Sequence, residues 1–131
     1  MIKDKLNFIV VDDSKLDCFI AEKIIQNTGK CNSVKTFQQA SEAINYIGGL
    51  PEQTHETILF VDIQMPVMNG FEFVEAFEAL PAEKKNGISI YMLSSSINEN
   101  DIARVKGYSS IRQFINKPLT ANSIAVILEN F

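Results

Sequence analysis

Asp12 and Asp13 follow directly on the apolar run LNFIVV, Asp62 on TILFV and Ser94 on ISIYML, while Lys117 stands just past QFIN. Carboxylates brought to one rim repel one another, and the cluster is costly unless a cation joins it. Magnesium suits such a place, because it is a hard cation that takes oxygen from one or two carboxylates, waters and phosphates. The Lys117 ammonium can pair with a carboxylate or with a phosphoryl oxygen. The Ser94 hydroxyl can donate a hydrogen bond to the same group. Charge neutralisation and an in-line nucleophile are what phosphoryl transfer requires. A carboxylate oxygen can be that nucleophile and become an aspartyl phosphate.

These side chains meet only if the apolar runs are neighbouring strands. Leu6–Val11 reads as a strand buried on both faces. Ser14 can cap a helix through about Thr28, where Gly29 stops it. Val34–Phe37 is a weaker strand, Gln39–Ile47 a helix, Thr57–Val61 a buried strand, and Asn69 or Gly70 starts a helix through Leu80. A polar loop at Pro81–Gly87 leads to a strand at Ile88–Leu93, a helix at Asn98–Lys106 and a short strand at Gln113–Asn116. Thr120 caps a last helix. Such alternation predicts an α/β fold, a parallel sheet covered by helices on both faces through right-handed crossovers. Ligands then bind at the carboxyl ends of the strands, near the reversal of strand order.

The 131 residues suit one domain, residues 1–131, and the 46% apolar and 21% charged content is that of a globular chain. A net charge of −4 gives no electrostatic footprint for nucleic acid. No apolar stretch approaches the ~20 residues of a membrane span, and MIKDKLNFIVVDDS is no signal peptide. Cys18 and Cys31 form no metal or disulfide pattern, which favours a reducing, cytoplasmic setting and free thiols. His55, in a polar loop, reads as a solvated residue.

Taken together, FIVVDDS, ILFVDIQMPVMNG, IYMLSSS and FINKPL resemble the receiver domain of two-component response regulators over essentially the whole chain. The resemblance implies a flavodoxin-like, doubly wound five-stranded sheet, order 2-1-3-4-5, with five helices. It makes Asp62 the phosphoacceptor, with Asp13 a direct ligand of Mg2+, Asp12 holding the ion partly through water, and Asp62 and the main-chain carbonyl of Gln64 beside it. Ser94 and Lys117 match the family's hydroxyl and lysine, and Phe114 its aromatic switch position. Gln64 and Ser96 fall at two variable positions that bear on attack by water. The phosphoryl donor would be a sensor histidine kinase or histidine phosphotransfer protein. Ser94 and Phe114 would then turn inward and bias the surface of the fourth helix, fifth strand and fifth helix toward a downstream protein target, or the phosphate would be relayed onward. Catalysis would be confined to the domain's own aspartyl phosphorylation and dephosphorylation. The switch residue departs from the family in being Phe rather than Tyr, and the hydroxyl in being Ser rather than Thr. GYSSIRQF also lacks the usual Gly-Ala pair. The reading is a stand-alone receiver with no nucleic-acid or membrane partner.

Bland explanations exist for single residues. Asp12 and Asp13 could merely favour a helix N-terminus, but Asp62 at the end of an apolar strand costs several kcal/mol if unpaired. A haloacid-dehalogenase-type phosphatase would need an aspartate where Gln64 stands. A pseudo-receiver acting as an interaction module has no need of clustered carboxylates, and a Rossmann or P-loop site would need a glycine-rich turn after the first strand. On the first helix Ile20, Ala21, Ile24, Ile25 and Thr28 share a face at helical spacing, whereas Phe19 points toward Lys15, Glu22, Lys23 and Gln26. Phe19 and Leu16 are therefore candidate contacts for the phosphodonor, since interface anchors are often aromatic. In the last helix Ile124, Ile127, Leu128 and Phe131 suit the core.

Overall fold

A computed structural model describes residues 5–51, 56–96 and 98–131 of the chain. His55 lies outside the described residues.

Five parallel strands carry the apolar runs: β1 (Leu6–Val11), β2 (Cys31–Phe37), β3 (Thr57–Asp62), β4 (Ile88–Ser94) and β5 (Ile111–Asn116). Their order is β2-β1-β3-β4-β5, the flavodoxin-like arrangement. Around them run α1 (Lys15–Gln26), α2 (Ala40–Gly48), α3 (Gly70–Glu78), α4 (Ala82–Lys85), α5 (Glu99–Val105) and α6 (Ala121–Leu128). Every residue of β3 is buried because helices cover both of its faces. Alternate side chains of one strand therefore serve different cores. Ile9 and Val11 join Leu59, Val61, Ile90 and Met92 under α2, α3 and Val105 of α5. Phe8 and Val10 join Ile58, Phe60 and Leu93 under α1 and α6.

The helix starts follow from their capping residues. Ser14 Oγ accepts from Asp17 N at α1, and Asn69 and Thr120 close full capping boxes with Glu72 and Ser123 at α3 and α6. Among the described residues six helices stand where five were expected. The segment read as a polar loop contains the one-turn α4, in which Pro81 precedes good helix formers, and Gly87 turns the chain out at φ +79°. Two strands start earlier than expected. The edge strand β2 begins at Cys31 with Asn32, Ser33 and Lys35 facing solvent, so its apolar signal is weak. β5 begins at Ile111 and carries an irregularity, Ile90 facing Ile111 while Tyr91 faces Gln113.

One assignment on α1 needs correction. Cys18, Ala21 and Ile25 are the buried stripe, while Ile20 is 40% exposed beside Leu16 and Phe19. The stripe that faces the sheet is narrower than the apolar pattern, leaving Ile20 at its rim. On α6 the expectation matches: Ile124 and Ile127 are buried, with Leu128 and Phe131 packed against them.

Candidate functional site

β1 and β3 are adjacent, yet β1 leads on to β2 at one side and β3 to β4 at the other. Their carboxyl ends therefore border the crevice where the order reverses. Asp12 follows β1 and Asp62 ends β3, and a short parallel register brings Val11 opposite Val61. One carboxylate oxygen from each of Asp12, Asp13 and Asp62 lies within 4.8 Å of the others. Asp12 and Asp62 are buried, and Asp13 is exposed at the mouth.

Lys117 reaches this cluster from the end of β5. Its Nζ lies 2.6 Å from Asp12 Oδ2, 2.9 Å from Asp17 Oδ2 and 3.3 Å from Asp62 Oδ2. The ammonium has three N–H donors, and each can be matched to a carboxylate oxygen. Main-chain amides hold the outer oxygens: Ser14 N donates to Asp12 Oδ1 at 2.9 Å, and Gln64 N to Asp62 Oδ1 at 3.1 Å. The Lys117–Pro118 peptide is cis.

Electrostatics follow from that geometry. Burial, then the neighbouring charge of Asp12, pushes the Asp62 carboxyl up to about 6, although Lys117 and the Gln64 amide oppose the rise. Burial alone would lower the Lys117 pKa, but hydrogen bonds to Asp12 and Asp17 outweigh it and hold the ammonium above its ordinary range. Burial, and next the charge of Asp12, pushes the Cys18 thiol up to about 11; its Sγ donates to the Asp12 carbonyl at 3.3 Å. Cys18 is thus part of the support beneath Asp12 rather than a nucleophile. The donor set around the crevice is all oxygen and net negative, which fits a hard divalent cation.

Ser94 is fully buried at the end of β4, and its Oγ donates to the Ser96 carbonyl at 2.9 Å. Gln64 Nε2 donates to Ser96 Oγ at 3.2 Å, joining the two loops at the outer edge of the crevice. Phe114 is half-buried against the α2–α3–α5 core, away from the carboxylates. Leu16 and Phe19 lie outside the crevice on α1, 65% and 56% exposed, with Lys23 Nζ 5.3 Å from the Phe19 ring centre. Sequence reasoning did not single out Asp17, whose position in the first turn of a helix already has an ordinary explanation.

A family model described as the response regulator receiver domain matches residues 8–129. A response regulator receiver protein from Dyadobacter fermentans has a solved structure that superposes with a TM-score of 0.87 at 34% identity, over 95% of this chain and 96% of that one. Protein PilG of Pseudomonas aeruginosa is 30% identical over 121 residues, 92% of this chain and 83% of its own length. Two-component response regulator 24 of Arabidopsis thaliana is 26% identical over 98% of this chain and 85% of its own.

Proposed function

The chain belongs to the response regulator receiver domain family, a family of signalling switches, and on that premise we propose that it is a phosphoacceptor in a two-component system, with Asp62 as the phosphorylated residue. The observation that supports this reading best is the meeting of Lys117 with Asp12 and Asp62 beside Asp13, at the carboxyl ends of adjoining strands. An Asp62 oxygen attacks phosphorus in line, forming a P–O bond as the donor's P–N bond breaks. The leaving imidazole keeps the electron pair and takes a proton. With a small acyl phosphate the bond broken is P–O and the leaving group is the carboxylate.

Asp12, Asp13, Asp62 and the Gln64 main-chain carbonyl would hold Mg2+, which when bound supplies charge neutralisation for the carboxylates and the incoming phosphoryl oxygens. Lys117 pairs with the new phosphoryl group, and Ser94 turns its hydroxyl from Ser96 toward it. Phe114 follows into the space released, biasing a two-state surface formed by α5, β5 and α6. With α4 present, these are the elements that correspond to the family's fourth helix, fifth strand and fifth helix. Leu16 and Phe19 meet the histidine-bearing donor, and a downstream protein reads the altered surface.

Intact-protein mass spectrometry after incubation with acetyl phosphate or phosphoramidate tests the chemistry. One added phosphoryl group, dependent on Mg2+ and absent from Asp62→Asn, is the expected result. No gain with any donor would instead favour a phosphorylation-independent interaction module.

A further inference from the structure

Asp17 is the third carboxylate on Lys117, at 2.9 Å across 100 residues of sequence. Its neighbours explain why it is free to be there. Ser14-Lys15-Leu16-Asp17 has the form of a capping box, in which the fourth residue normally bonds back to the cap amide. The boxes at Asn69–Glu72 and Thr120–Ser123 close in that way. At α1 the return bond is already taken, because Ser14 N donates to Asp12 Oδ1 at 2.9 Å. The Asp17 amide still binds Ser14 Oγ, which fixes the first turn, while its carboxylate turns outward to Lys117.

The three partners of the ammonium differ in kind. Asp12 and Asp62 belong to the cluster that suits a divalent cation, whereas Asp17 lies outside it. A cation joining Asp12 and Asp62 repels the ammonium and competes for the same oxygens. The hold of Asp12 and Asp62 on the ammonium, at 2.6 Å and 3.3 Å without the cation, is then weakened. Asp17 is more exposed and can keep its contact, with a side-chain accessibility of 43% against 2% for Asp12.

We infer that Asp17 is a positioning residue, the counter-ion outside the cluster that keeps Lys117 beside Asp62 when a divalent cation weakens the hold of Asp12 and Asp62 on the ammonium. The inference rests on the phosphoacceptor reading of the site. Asp17 has a smaller share of the ammonium when Asp12 competes for it than when Asp12 is engaged by the metal. Asp17 therefore favours the metal-bound state through Lys117, and its removal weakens metal binding beyond the loss of one nearby negative charge.

A double-mutant cycle separates these two effects. MgCl2 is titrated calorimetrically into the wild type, Asp17→Asn, Lys117→Met and the double variant, with Asp17→Glu as the conservative rescue. Asp17→Asn should weaken Mg2+ binding about five- to tenfold in the wild-type background and less than about twofold when Lys117 is Met. Asp17→Glu should recover most of the affinity. In lysine-labelled protein, the ammonium resonance of Lys117 should stay protected from exchange at saturating Mg2+ in the wild type and lose protection in Asp17→Asn. Equal weakening in both backgrounds, or none in either, overturns the inference and leaves the phosphoacceptor reading standing. A wild type that neither binds Mg2+ nor takes up phosphoryl overturns both.

Discussion

Ser94 and Ser96 hold each other by two hydrogen bonds, Ser94 Oγ donating to the Ser96 carbonyl at 2.9 Å and accepting from the Ser96 amide at 3.2 Å. The hydroxyl assigned to the phosphoryl group is thus engaged in its own loop. Turning it toward Asp62 opens that loop, and Ser96 carries the bond from Gln64 with it. Ser94→Ala should therefore do two separable things. The free protein should lose about 1 kcal/mol of stability in urea unfolding, because the Ser96 main chain loses its partner. Phosphoryl uptake from acetyl phosphate should persist, while the spectral response of the β5 amides to phosphorylation should shrink. An unchanged response would remove Ser94 from the switch.

The raised pKa of Asp62 has a signed consequence for the metal-free fold. The carboxyl keeps its proton up to about pH 6 when folded, against 3.8 for an aspartate in the unfolded chain. The stabilisation from that proton is complete below about pH 4 and is lost as pH rises through about 6. Asp62→Asn has no such loss. In chelator at pH 7.5 it should be more stable than the wild type by about 1–3 kcal/mol, and the gap should close by pH 4. Mg2+ should raise the melting temperature of the wild type and do little for the variant. Parallel melting curves from pH 4 to 8 with and without Mg2+ check both statements.

Gly70 fixes how closely α3 approaches the strand that carries Asp62. A Cβ there would sit 2.6 Å from the Asp62 carbonyl oxygen and 2.8 Å from Ile63 Cα, both rigid main-chain atoms. The Gly70 amide donates to the Ile63 carbonyl at 2.9 Å, so helix and strand cannot separate without losing that bond. Gly70→Ala should cost about 2–4 kcal/mol, as expected for forced overpacking of a rigid contact. Chemical denaturation measures the loss, and weakened Mg2+ binding should accompany it because the Asp62 main chain must shift.

The central strands were readable because burial on both faces leaves an unbroken apolar run, as in β1, β3 and β4. The ends of those runs then located Asp12, Asp62 and Ser94. Edge strands lack that signal: Asn32, Ser33 and Lys35 conceal the start of β2, and Arg112, exposed at the irregularity, conceals that of β5. A four-residue helix such as α4 is too short to show a period. Asp17 was hidden for a different reason. Its chemistry depends on a partner 100 residues away and on a cap amide already occupied by Asp12, and local sequence records neither. Gly70 read as no more than a possible helix start, whereas the structure gives it a contact that admits no side chain.

Phe19 and Leu16 offer a way to separate donor recognition from chemistry. Both lie on the solvent side of α1, where Phe19 borders a hollow it shares with Lys15, Cys18, Glu22 and Phe37. Their side chains make little use of the core, and the stacking of Lys23 on Phe19 is an exposed cation–π contact worth about 0.5 kcal/mol. Phe19→Ala should accordingly change stability by less than about 1 kcal/mol and leave phosphorylation by acetyl phosphate untouched. Transfer from a phosphohistidine protein is different, because it requires a docked surface, and a central aromatic contact commonly carries 2 kcal/mol or more of binding. That corresponds to a loss of about thirtyfold in transfer efficiency at subsaturating donor. Leu16→Ala should act in the same direction, and the two variants should be less than additive if one partner helix covers both. The measurement is the rate of phosphoryl transfer against donor concentration, run beside the acetyl phosphate control. Equal rates for Phe19→Ala and the wild type with both donors would place the docking surface elsewhere on the molecule.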